Sequence, residues 1–390
     1  MMKDMKTKKQ NKRNIFIVTL GIFFLVLVYC FSGTFLIKVE VKENKSVDYS
    51  SLMLKHLNKN TDENILYSDL TFNQPMILFY KMSNGSLHGS FADYFEMDED
   101  LLISNYDKIY DRYKFGYKKV GLSSAIWINN ELDDFSESSS QLARKLHFSI
   151  NKGNFNSSEV VEDINKWVKK KSHGKVNGVL NDNDLKDKHS VIVSTLYFNE
   201  KWNSKYELSD INDGKFNGTK GISNVKFMSS EEKIYLENDE AKGFMKPYKD
   251  DDIYFVGIIP KDNYELSDIN ILELLDKRSS ATVSVKIPEF EYMYEHDFTE
   301  NVNDLGFSDL LKPGSLDNIV NGLYVDKIIQ KNYISVNSDG TEAASIDYVL
   351  NEQWSSLANN YFVTLDKPFV FLIYDDAVNQ VLFIGQVNNI

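Results

Sequence analysis

The feature that most limits what this chain can fold into lies near its C-terminus. A strand pattern in Tyr333, Ile334 and Val336 breaks at Ser338-Asp339-Gly340 and restarts in the small residues Thr341-Glu342-Ala343-Ala344-Ser345. About 25 residues then pass before the next apolar run, Phe369 to Tyr374; a connection of that length is uncommon inside a compact domain and usually functional. Any fold proposed for the chain must carry this long link between two strands.

The rest of the body orders helices first and strands second. Helical patterns cover Ser51 to Leu57, Gln74 to Met82, Ser136 to Leu146 and Ser157 to Lys171. The last is the clearest. Ser157 can cap it, and Val160, Val161, Ile164, Trp167 and Val168 recur at helical spacing before His173-Gly174 ends it. Short strands are expected at Asn64–Ser68 and Leu122–Ile128. Longer ones are expected at Val191–Asn199, Asp252–Ile259, Ala281–Ile287, Tyr333–Asn337, Phe369–Tyr374 and Val381–Val387. Val191 to Phe198 is almost continuously apolar, as in a strand covered on both faces. This order argues for an α+β fold. With 42% hydrophobic residues and no low-complexity linker after Lys38, residues 49–390 read as one domain.

The N-terminus is a separate object. Lys3, Lys6, Lys8, Lys9, Lys12 and Arg13 precede the apolar stretch Ile15 to Ile37, which as a helix would span roughly 34 Å. The basic flank should stay in the cytoplasm and the chain after Lys38 should be outside. Residues 1–37 are thus expected to be a membrane anchor, with a cleaved signal or a lipidated Cys30 as alternatives, and 38–48 a linker. Cys30 is the one cysteine, so no intrachain disulfide forms.

Enzyme signatures are absent: no G-x-S-x-G, H-E-x-x-H, P-loop or G-x-G-x-x-G occurs. The six histidines lack metal-ligand spacing, so no metal or cofactor is expected. A net charge of −13 disfavours nucleic acid as a partner. Lys169-Lys170-Lys171 reads as a solvated helix face.

From about Ser50 to Ile390 the chain resembles a serpin, a family of serine protease inhibitors. The resemblance rests on motifs in shared order: Asn64-Ile65-Leu66-Tyr67-Ser68, Leu122 to Ile128, Ile164-Asn165-Lys166-Trp167-Val168, and Leu196-Tyr197-Phe198-Asn199-Glu200-Lys201-Trp202. It continues through Ile287-Pro288-Glu289-Phe290, Leu305-Gly306-Phe307, Lys367-Pro368-Phe369 and Phe383-Ile384-Gly385. The segment Gly340-Thr341-Glu342-Ala343-Ala344-Ser345 resembles the hinge of the serpin reactive loop. The resemblance implies a serpin fold: a large mixed β-sheet with two smaller sheets, surrounding helices and an exposed reactive loop. It implies a monomer that is not an enzyme but bait for a serine protease. After cleavage the hinge inserts into the sheet as a new strand.

Family spacing puts the reactive bond at Trp354-Ser355, with Leu357 as the alternative acyl-side residue. No Lys or Arg lies between Gly340 and Asp366, so the expected partner is chymotrypsin-like or elastase-like. Three departures bear on the mechanism. Asp69 stands where a proline is usual, Gln330 where a histidine latches the main sheet, and Ser194 where an asparagine is usual. Ser68 and Ser194 are expected to hydrogen-bond Gln330 at the place where the sheet opens. Alternation sets Thr341, Ala343, Ser345, Asp347 and Val349 on one face. In serpins that face turns inward on insertion, so Asp347 would be buried at a cost unless paired or protonated.

Overall fold

The computed structural model describes residues 40–59, 61–116, 119–249, 252–341 and 361–390. The expected anchor and the first two residues of its linker lie outside these residues, as do Glu342, Ala343, Ala344, Ser345, Asp347, Trp354, Ser355 and Leu357. No helix among the described residues is long and apolar enough to cross a membrane.

The described helices are α1 (Ser46–Leu57), α2 (Asp69–Met82), α3 (Gly85–Phe95), α4 (Glu99–Asp111), α5 (Glu137–Lys145), α6 (Ser158–Lys171), α7 (Ile271–Asp276) and α8 (Asn301–Asp304). The strands are β1 (Ile65–Tyr67), β2 (Val120–Asn129), β3 (Ser149–Gly153), β4 (Ser190–Phe198), β5 (Glu200–Lys201), β6 (Ile211–Gly218), β7 (Gly221–Glu237) and β8 (Ala241–Pro247). They continue as β9 (Ile253–Pro260), β10 (Ser279–Pro288), β11 (Phe290–Asp297), β12 (Lys327–Asn337), β13 (Gly340–Thr341), β14 (Tyr361–Thr364), β15 (Phe369–Asp375) and β16 (Gln380–Val387).

Local chemistry fixes several element ends. The Asp98 carboxylate accepts from the Asp100 and Leu101 amides at the start of α4. Ser136 and Ser157 do the same for α5 and α6. α6 stops where His173 and Gly174 take positive φ values of 51° and 84°. α2 begins at Asp69, well before the expected Gln74. Its interior Pro75 cannot donate to the Thr71 carbonyl, and the Ser124 hydroxyl of β2 takes that acceptor at 2.7 Å. α1 begins at Ser46, inside the stretch expected as linker, and Val47 is buried.

Two sheets carry the fold. The main sheet runs β3-β2-β4-β12, with β11 beside β12 and the short β13 and β5 at its upper end. Among the described residues the second has nine strands, β1-β16-β15-β9-β8-β7-β10-β14, with β6 on β7. It joins the two smaller sheets of the expectation, because the long β7 pairs with β6 and β10 and then with β8. The principal core draws on both sheets and most of the helices. A separate core lies under α6, where Val160, Val161, Ile164 and Val168 cover Ala125, Trp127, Val193 and Ile329 of the main sheet. Trp167 meets Trp127 edge-on at 5.2 Å. Residues 342–360 connect β13 of the main sheet to β14 of the second.

Candidate functional site

The site is the line along which β4 and β12 meet in the middle of the main sheet. Its lower part is a closed parallel ladder, Lys327 to Gln330 against Val191 to Ser194. Above Gln330 the strands part. Among the described residues no ladder pairing joins Thr195–Phe198 to Lys331–Ser335. At the upper end β13 sits between them, paired as Val336↔Thr341 and Asn337↔Gly340 on one side and Thr341↔Glu200 and Gly340↔Lys201 on the other.

Each upper residue has a physical reason to be where it is. A side chain on Gly340 would collide with the Glu200 backbone carbonyl, so this close approach demands glycine. Thr341 is fully buried, and its hydroxyl lies 2.5 Å from the Tyr248 hydroxyl. Burial pushes Tyr248 well above the ordinary tyrosine value, so it is a neutral partner. Tyr248 stacks on Trp202 at 4.6 Å. Trp202 holds the turn that feeds β13: its indole N–H donates to Asn337 O at 2.8 Å, and its backbone amide to Asp339 O at 3.1 Å. Thr341 is already turned inward in this structure.

The lower boundary is a buried polar cluster. Gln330 Oε1 accepts from the Ser68 amide at 2.9 Å and from Asn332 Nδ2 at 2.7 Å. Gln330 Nε2 donates to Ser68 O and to Thr71 Oγ1 at 3.0 Å each. It also lies 3.5 Å from Ser194 Oγ, at the edge of hydrogen-bond reach. Gln330, Ser68 and Ser194 therefore meet as the sequence suggests, but Ser68 acts through its backbone. Its hydroxyl is buried without a hydrogen-bond partner. The reason is geometric: Ser68 ends β1 and precedes α2, so its amide and carbonyl project at Gln330 like an open ladder end.

Two contributors escaped the sequence reading. Thr71 completes the Gln330 shell. Asn332, fully buried, accepts from the Leu196 amide at 3.1 Å and so satisfies β4 just above the point where the ladder stops. Its alternation with Gln330 on an inward face was the available signal. Asp69 is also buried, accepting from the hydroxyls of Ser46 at 2.9 Å and Ser50 at 3.0 Å. Burial raises its carboxyl to about 7.

One group among the described residues could hold a cation: Asp107 and Asp111 of α4 with His147, whose Nε2 lies 3.4 Å from Asp107. None of them belongs to the sheet site.

A family model described as serpin (serine protease inhibitor) matches residues 44–390. The chain belongs to the serpin family. This serpin is 26% identical over 246 residues to a serpin-like protein of Thermococcus kodakarensis, which covers 60% of the chain and 57% of that protein. It is 29% identical over 253 residues to leukocyte elastase inhibitor A of Mus musculus, covering 59% of the chain and 66% of that protein. The chain thus aligns with less than two thirds of the length of either. The native structure of tengpin, a thermophilic serpin, superimposes with a TM-score of 0.81 at 25% identity, covering 89% of this chain and 93% of that one. The serpin fold read from the sequence is the fold observed, and serpins in general inhibit serine proteases rather than catalyse a reaction.

Proposed function

We propose that this serpin is an extracytoplasmic inhibitor that traps a chymotrypsin-like or elastase-like serine protease. One observation carries the reading: Gly340 and Thr341 already form a two-residue strand in the open upper end of the main sheet. A strand continuing from Thr341 meets a strand edge on each side and gains ladder hydrogen bonds. The protease serine attacks the Trp354 carbonyl, the C–N bond to Ser355 breaks, and the protease histidine passes the proton to the leaving amine. Insertion then carries the acyl-enzyme along the sheet before water can release it. The basic N-terminus and apolar Ile15–Ile37 would tether the domain on the outer side of a membrane.

A serpin fold that binds without inhibiting is the second reading, and Asp347 favours it, because insertion past this residue buries a carboxylate. The two separate on a denaturing gel. Incubation with a chymotrypsin-like protease should give a complex that survives SDS and a released C-terminal peptide beginning at Ser355. Cleavage with no lasting complex supports the second reading. Capture of a trypsin-like enzyme, or a peptide beginning outside Ser355 to Ala358, overturns the specificity.

A further inference from the structure

A second cluster of ligating side chains lies away from the main-sheet site, where the last turn of α4 meets the residues between α5 and β3. Asp107 and Asp111 stand one helical turn apart on one face of α4. His147 follows α5 and leads into β3, the outer strand of the main sheet among the described residues. Its ring stacks on Tyr110 of α4, with centroids 3.6 Å apart and planes 8° apart, which fixes the imidazole against the helix. One oxygen from each aspartate and one imidazole nitrogen all lie within 4.8 Å of one another.

The groups are poorly served as they stand. His147 Nε2 is buried and has no hydrogen-bond partner. It lies 3.4 Å from Asp107 Oδ1, beyond the usual N–H···O range of about 2.7–3.2 Å. The same separation suits two ligands of one tetrahedral ion, since bonds of about 2.0–2.1 Å put ligand atoms roughly 3.3 Å apart. The two carboxylates repel each other at this spacing, and the C-terminal end of a helix disfavours anions. Among the described residues no lysine or arginine forms a salt bridge with either.

We propose that Asp107, Asp111 and His147 bind a divalent transition-metal ion, with zinc as the best fit. One imidazole with two carboxylates suits zinc better than calcium or magnesium, which take oxygen ligands. All three side chains are partly open to solvent, so water can fill the fourth position. The bound ion ties the last turn of α4 to the residues that lead into β3, and so clamps the outer strand of the main sheet to the helix. His56, His88 and His189 each lie near a carboxylate, but no other such group of three forms among the described residues.

Titration calorimetry on the full chain, made without a histidine tag and stripped with EDTA, tests this. Zn2+ should bind at one site per chain. At about a hundred times its Kd it should raise Tm by about 3 °C, while Ca2+ at the same concentration should not. His147→Gln and Asp111→Asn should each weaken Zn2+ binding at least about 10-fold, whereas His56→Gln should bind as the wild type does. Asp111→Asn removes one of two like charges and should keep the metal-free Tm, so it decides the matter if His147→Gln does not fold. The site is overturned if the wild-type chain binds no Zn2+, if Ca2+ binds as tightly, or if Zn2+ binding survives both His147→Gln and Asp111→Asn.

Discussion

The lower and upper halves of the line between β4 and β12 are built from the same two strands but held by different physics. In the lower half each strand is the other's ladder partner, and Gln330 locks the last pair to the end of β1 through both the oxygen and the nitrogen of its side-chain amide. In the upper half the strands do not pair, and the gap is held by the Asn332 side chain and the two-residue wedge of Gly340 and Thr341. A closed ladder satisfies its backbone groups in rows, whereas an open one leaves edges that any additional strand can satisfy. The upper half is thus poised to accept a strand, and the lower half sets how far it runs before a latch must give way.

The largest effect expected from disturbing this contrast is at Thr341. Thr341→Arg places a charge at a fully buried position against neutral Tyr248, at a cost of several kcal/mol. The loop should still be cleaved, while the yield of SDS-stable complex falls about 100-fold or more. An undiminished yield would remove the upper half from the mechanism.

The next effect is a pH dependence confined to the lower half. Asp69 follows Ser68 directly, and its carboxyl is raised from 3.8 to about 7 by burial. A carboxyl whose folded value lies above its unfolded value stabilises only while it is protonated. The contribution is full below about pH 4 and is lost as pH rises through about 7, amounting to roughly 2–4 kcal/mol. Chemical denaturation should show stability falling from pH 4 to pH 8 in the wild-type chain. Asp69→Asn should flatten that fall, and an unchanged slope would assign it to other groups.

The smallest effect sharpens the contrast itself. Gln330→Ala orphans the Ser68 amide and removes one donor from the Ser68 carbonyl in a closed, buried setting, and should cost about 3 kcal/mol. Asn332→Ala frees mainly the Leu196 amide beside the open half and should cost about 1 kcal/mol. Equal losses in denaturation midpoints would mean that the two halves are equally tight.

Much of this serpin was legible in its sequence because short-range patterns carry it. The caps at Ser136 and Ser157, the apolar run of β4 and the Gly340-Thr341 restart each follow from a few neighbouring residues. Some helical signals were present but unread. Leu87, Phe91 and Phe95 recur every four residues in α3, and Asp98 caps α4. After buried Phe290, exposed and half-buried residues alternate along β11, and β12 begins at Lys327 rather than Tyr333. The π-helical turn Arg112–Gly116 has no comparable signature.

What the sequence by itself determined is the class of elements and where several of them start, because period and cap are local properties. What only the tertiary structure decided is which groups meet across the sheet. Ser68 and Gln330 are 262 positions apart, and Thr71 and Gln330 are 259 apart. The Ser124 hydroxyl serves a carbonyl that Pro75 leaves free in another element. Sheet pairing is a long-range choice made by burying whole faces at once, and hydrogen-bond partners for Ser68, Asn332 and Asp69 are fixed only after that choice is made.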